Sequence, residues 1–125
     1  MKILGAPVVG PAGNTLPLSR GLEHGGLILL SGQLALRNGK IVGDTISEQT
    51  DAIFDHISET LALAGRTLQH IIKVTVWLTR AADFAEFNRI YAERVLAPYP
   101  VRSTVMAQLL VPGALVEIEV VATAG

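Results

Sequence analysis

Ala114-Leu115-Val116-Glu117-Ile118-Glu119-Val120-Val121-Ala122 alternates apolar and charged residues through its middle, and that period of two reads as a β-strand with unlike faces. Val116, Ile118 and Val120 take one side, Glu117 and Glu119 the other. Pro112-Gly113 joins it to an earlier strand, Val101 to Val111, which opens Val101-Arg102-Ser103-Thr104-Val105-Met106-Ala107 and sets one arginine in an apolar run. An ionised group taken out of water is costly unless it is paired or holds a ligand. An arginine and a carboxylate on neighbouring strands therefore suggest an anion-holding site with an acid/base group, and the planar arginine fork can grip a carboxylate bidentately. A structural ion pair, or a strand whose second face is wet, would account for the same residues.

Outward from these strands, Ile71 to Thr79 alternates as well, with Ile72, Val74, Val76 and Leu78 on one side and Lys73, Thr75 and Trp77 on the other. A helix is predicted from about Ala82 to Leu96, carrying Phe84, Phe87, Tyr91 and Val95 at helical spacing before Pro98 and Pro100 end it. Thr45-Ile46-Ser47-Glu48 has the spacing of a capping box, and the stripe Ile53, Ile57, Leu61 and Ala64 stops at Gly65, which predicts another helix. Before it, Leu27 to Gln33 reads as a strand, and Arg37-Asn38-Gly39-Lys40 as a hairpin turn, because Asn-Gly accepts the positive φ angles of type I′. Ile41 and Val42 would begin the returning strand.

The order is hairpin, helix, strand, helix, two strands, which makes an α+β mixed sheet with both helices on one face. A length of 125 residues fits a single domain, 1–125. If Val116, Ile118 and Val120 face the helices, the uncovered side carries Glu117 and Glu119, and parity adds Arg102, Thr104, Met106 and Gln108, separated from Val101 and Val105; Trp77 is a further candidate. This face is too apolar for open water and too polar for a core, so we expect it to be shared with another subunit, with a pocket between chains.

Composition agrees with buried subunit contacts: half the residues are hydrophobic and only 17% are charged. A net charge of −1 with scattered lysines and arginines argues against a nucleic-acid partner. The stretch Ile3 to Ser19 is broken by Pro7, Gly10, Pro11, Gly13 and Pro17, so neither a membrane anchor nor a signal peptide is expected, and the default address is cytoplasmic. The absence of cysteine excludes disulfides and thiol catalysis. His24, His56 and His70 lack metal-ligand spacing and read as surface or capping residues, and no metal is expected. Gly25-Gly26 reads as a flexible turn rather than a phosphate loop, with no lysine or helix start in register.

Five segments together resemble the Rid family, the RidA/YjgF-type reactive-intermediate deaminases: Ser31-Gly32-Gln33, Lys73-Val74-Thr75-Val76-Trp77-Leu78-Thr79, Asp83-Phe84 with Asn88 and Tyr91, Arg102-Ser103-Thr104, and Pro112 through Glu119. The resemblance runs from about Leu18 to Ala122. It implies a chorismate-mutase-like α+β fold, a homotrimer with clefts between subunits, and hydrolysis of 2-enamine or 2-imine carboxylic acids to 2-oxo acids and ammonia, without a metal or organic cofactor. By this resemblance Arg102 binds the substrate carboxylate and Glu117 positions and activates water. The main chain near Ser31, Gly32 and Thr104 lines the cleft, and Asn88 either contacts substrate or links helix to loop. Ser31 also fits a serine that only bonds to backbone. Leu18 stands where the family often has a tyrosine, which makes that wall apolar and changes substrate preference or slows turnover. Two other functions are to be weighed: a non-catalytic sensor or scaffold binding small carboxylates in the same clefts, and an endoribonuclease or translation inhibitor, which the composition disfavours.

Overall fold

The computed structural model describes residues 1–125 apart from Pro11. Its strands are β1 (Lys2–Leu4), β2 (Gly21–His24), β3 (Leu27–Leu30), β4 (Leu36–Arg37), β5 (Lys40–Ile41), β6 (Ile71–Leu78), β7 (Val101–Met106) and β8 (Val116–Thr123). Two α-helices, α1 (Ile46–Ala62) and α2 (Phe84–Arg94), are each accompanied by a single 3-10 turn, Leu68–His70 after α1 and Ala81–Asp83 before α2. One sheet runs β1-β2-β3-β8-β6-β7, while β4 and β5 form a separate ribbon. Among the described residues only β6 and β7 pair in parallel, joined across α2; the other neighbours are antiparallel.

Local chemistry explains the helices. Thr45 accepts from the Glu48 amide at 3.2 Å, and the Glu48 carboxylate accepts from the Thr45 hydroxyl and the Asp44 amide, so the cap forms with its return bond one residue earlier than the ideal box. Gly65 stops the helix in the left-handed region at φ 70°, where its amide and that of Arg66 satisfy the last carbonyls. Ile53, Phe54, Ile57 and Leu61 of α1 and Phe87 and Tyr91 of α2 are buried against Val74, Val76, Val116, Ile118 and Val120, so both helices cover one face. Gln49 is buried yet fully used: its amide donates to the Gly43 and Gly113 carbonyls and accepts from the Leu115 amide, pinning the approach to β8 onto α1.

Several expectations are corrected. Asn38 and Gly39 make the turn at φ 52° and 78°, but the ribbon they close is not part of the main sheet. The hairpin partner of β3 is instead β2, which ends at His24 and is reached through Gly25-Gly26. Strand β3 stops at Leu30, with Gln33 bridging separately to Ile118. A bulge between Ile71 and Lys73 shifts the parity of β6, which buries Ile71 and turns Ile72 outward. α2 begins at Phe84, itself exposed, after the 3-10 turn.

The consequential correction concerns β7, which is shorter than expected and leaves Gln108 outside any strand. Arg102 lies opposite buried Val74 and Thr104 opposite buried Val76, so Arg102, Thr104 and Met106 point to the helix side. Val101 and Val105 occupy the open face at 68% and 48% exposure, beside the face that carries Glu117, Glu119 and Trp77. Apolar residues therefore do not mark the core side here. β7 is an edge strand, where the covering helix reaches helix-side residues only partly and leaves room for a charge.

Candidate active site

Arg102 and Glu117 stand on opposite faces of one sheet, since Arg102 shares the side of Val74 while Glu117 pairs with Trp77 on the other. Each has its own surroundings. Arg102 rests on α2: its guanidinium carbon lies 4.6 Å from the centre of the Tyr91 ring and 5.5 Å from that of Phe87, and its Nη2 donates to Asn88 Oδ1 at 2.7 Å. These contacts follow from the i, i+1, i+4 spacing of Phe87, Asn88 and Tyr91, which places a hydrogen-bond acceptor between two rings at one end of the helix face. Arg102 makes no ion pair with any described residue, so a polarised, oriented cation is presented at the sheet edge. Burial raises the pKa of the Tyr91 hydroxyl although the Arg102 charge opposes the rise, and the ring acts as a neutral platform. Asn88 lies within α2, so it links helix to strand rather than helix to loop. Thr104 is two residues on from Arg102, its hydroxyl buried without a partner.

Glu117 is half-buried on β8. Burial, and secondly the charge of Glu119, raise its pKa above the usual carboxylate value. Gly32 closes over it. A Cβ at Gly32 would lie 3.0 Å from Glu117 Cδ and 3.2 Å from Oε1, so a glycine lets this backbone approach the carboxylate without displacing it. The approach is fixed by paired backbone bonds of 2.8 and 3.0 Å between Gln33 and Ile118. Ser31 and Gly32 share a groove of about 320 Å³ with Leu18, which is 45% exposed. The Ser31 hydroxyl donates to the Ser19 carbonyl at 2.6 Å, tying the two chain segments together as the structural reading of that serine expects.

Of the residues expected at the site, Leu18, Ser31 and Gly32 thus line one groove, Glu117 lies against Gly32, and Asn88, Arg102 and Thr104 stand elsewhere. Tyr91 under Arg102, and Arg20 and His56 beside Leu18, were not singled out from sequence as site residues. The helical spacing of Tyr91 from Asn88 could have indicated the first, but nothing local marks the other two. His70 does cap, accepting from the Thr67 amide at 3.0 Å through Nδ1. Among the described residues no cluster of histidine and acidic side chains could hold a metal ion, and no helix is long and apolar enough to cross a membrane.

The Gly32 contact makes a direct prediction. Gly32→Ala should push the Glu117 carboxylate aside, at little cost to the fold because the obstructing atoms end a flexible side chain. If Glu117 positions the attacking water, turnover should fall severalfold with the melting temperature nearly unchanged, since even a shift of a few tenths of an ångström spoils the alignment such a group needs. Parallel kinetic and thermal-melt measurements check it; full activity in the variant would show that the Glu117 position is immaterial.

Comparison with known proteins places residues 12–124 within the family model described as Endoribonuclease L-PSP. The protein mmf2, mitochondrial, of Schizosaccharomyces pombe is 39% identical over 109 residues, covering 85% of this chain and 86% of that protein. Reactive Intermediate Deaminase A, chloroplastic, of Arabidopsis thaliana is 36% identical over 109 residues, covering 86% of this chain and 58% of the other. The crystal structure of a YjgF-family member from Neisseria meningitidis superposes with a TM-score of 0.79 at 32% identity, covering 89% of this chain and 90% of that one.

Proposed function

The chain belongs to the Endoribonuclease L-PSP family, the YjgF/Rid family, and from that premise we propose that it is a hydrolytic deaminase of reactive 2-enamine and 2-imine carboxylic acids. The observation that carries this reading is the division of Arg102 and Glu117 between opposite faces of one chain, each unpaired and each oriented by its own neighbours. A cleft that needs both must then be made by two chains, Arg102 from one and Glu117 from the next, and a closed threefold ring satisfies every subunit equally. Exposed Val101 and Val105, with the rest of the uncovered face, supply the surface for such packing.

In that cleft Arg102 holds the substrate carboxylate, and Glu117 orients a water toward the imine carbon. Water adds across the C=N bond as Glu117 takes its proton. Collapse of the tetrahedral aminol returns a proton to nitrogen, expels ammonia and leaves the 2-oxo acid. The imine carbon is already electrophilic, so the step needs orientation and proton transfer more than a covalent nucleophile. The test is ammonia release from freshly generated 2-iminobutyrate and 2-iminopropionate against the buffer rate, with light scattering on the same sample. The expected results are acceleration and three times the mass of one chain; an active monomer would refute the shared cleft.

Leu18 sets a secondary expectation. Leu18→Tyr should raise kcat/KM for 2-iminopropionate, by about tenfold at most because one neutral hydrogen bond is worth on the order of 1 kcal/mol. The readout is the ratio of kcat/KM for a short and a branched-chain imine. No change in either would place Leu18 outside the cleft.

A further inference from the structure

The groove that holds Leu18, Ser31 and Gly32 continues past the part used above. Arg20 and His56 line it, together with Asn38 from the tip of the small ribbon, and no acidic residue does. Arg20 makes no ion pair with any described residue. His56 lies on α1 with Nε2 buried and without a partner. Arg20, Leu36, Asn38 and His56 also line an adjoining hollow of about 450 Å³, whose acidic residue, Glu59, faces Arg37 at 3.9 Å. The hydrogen-bonding side chains near Arg20 are therefore rich in donors and short of anionic acceptors, in a recess of a size that suits a small molecule.

We infer that Arg20 and His56 form a second anion subsite that takes the side-chain carboxylate of a 2-imino dicarboxylic acid, while the reacting end lies at Gly32 and Glu117. This rests on the deaminase reading and names its substrate class. Arg20 supplies a fork suited to a carboxylate, and His56 adds an N–H from the wall formed by α1.

The test separates binding from turnover by titrating the intact protein with the product-type acids 2-oxoglutarate and 2-oxobutyrate. The subsite predicts that the dicarboxylate binds about tenfold more tightly or better, and that Arg20→Gln and His56→Asn each reduce that preference, Arg20→Gln to about threefold or less. Arg20→Lys, which keeps charge without the fork, should fall between. Equal affinities, no detectable binding of 2-oxoglutarate, or a preference surviving both substitutions would overturn the proposal. Ammonia release from 2-iminobutyrate by the same preparations reports on the deaminase reading separately, because the binding comparison stands whether or not turnover is seen.

Discussion

Arg102→Ala is expected to lower kcat/KM for 2-imino acids by roughly 10²–10³, the equivalent of about 3–4 kcal/mol for truncating one partner of a desolvated charge pair. The loss is specific to the ligand because the side chain supports little of the fold: it lies at a sheet edge, over Tyr91 and Phe87, which remain packed with α1 when it is shortened. Arg102→Lys recovers only a small part, since an ammonium can neither bridge both carboxylate oxygens nor lie flat on Tyr91 while meeting Asn88. Steady-state kinetics with light scattering of each variant decide the matter. Undiminished activity of the alanine variant at unchanged mass removes Arg102 from the mechanism.

Glu117→Gln, nearly isosteric, lowers kcat by about 10²–10⁴, the range expected for loss of a general base, with carboxylate binding largely retained. The pH profile follows from the raised pKa. On the proposed mechanism, activity should decline on acidification as Glu117 takes up its proton, with the decline beginning above the ordinary carboxylate range because of burial and Glu119. Glu119→Gln removes the smaller of these causes and should move the inflection down. Stability carries the opposite sign: the folded chain holds this proton more tightly than the unfolded chain, so the group costs stability as pH rises from the ordinary value through the raised one. Mixing the two dead variants is the sharper test. Unfolding and reassembling Arg102→Ala with Glu117→Gln should restore activity to about a quarter of the clefts, because a cleft takes one residue from each of two chains. No recovery on mixing would mean that one chain supplies both groups.

How far the chain could be read depended on how locally each feature is determined. The capping box at Thr45, the stop at Gly65 and the Asn38-Gly39 turn are set by a few adjacent residues, and all three appear where the sequence puts them. The faces of β8 were legible because it lies between two strands and is fully covered on one side, so alternation reports burial directly. At β7 the same rule fails. Its helix-side positions are only partly covered and its open-face positions Val101 and Val105 are apolar though exposed, so Arg102 was assigned to the wrong side. Short β1 and β2 carry no period long enough to read, and the bulge at Ile71 to Lys73 is invisible without its partner strand. Glu117 was marked by its place in an apolar run, and Leu18, Ser31 and Gly32 by resemblance; the last three share a groove and Glu117 lies against Gly32, whereas Arg20 and His56 come from segments far apart in sequence, and only the fold brings them together.

The strand order also dictates when this molecule can fold. β8 is the last strand along the chain, yet it sits between β3 and β6 and pairs with both. A chain emerging from the ribosome has made both helices and every other strand before it has the piece that joins the two halves of its sheet. Until then β3 and β6 each offer a bare row of backbone groups, and the Gln49 carboxamide has no Leu115 amide to hold. Cooperative closure is thus deferred until β8 itself has been made, and the interval before it, long in a topology dominated by distant pairings, is when a chaperone has most to protect.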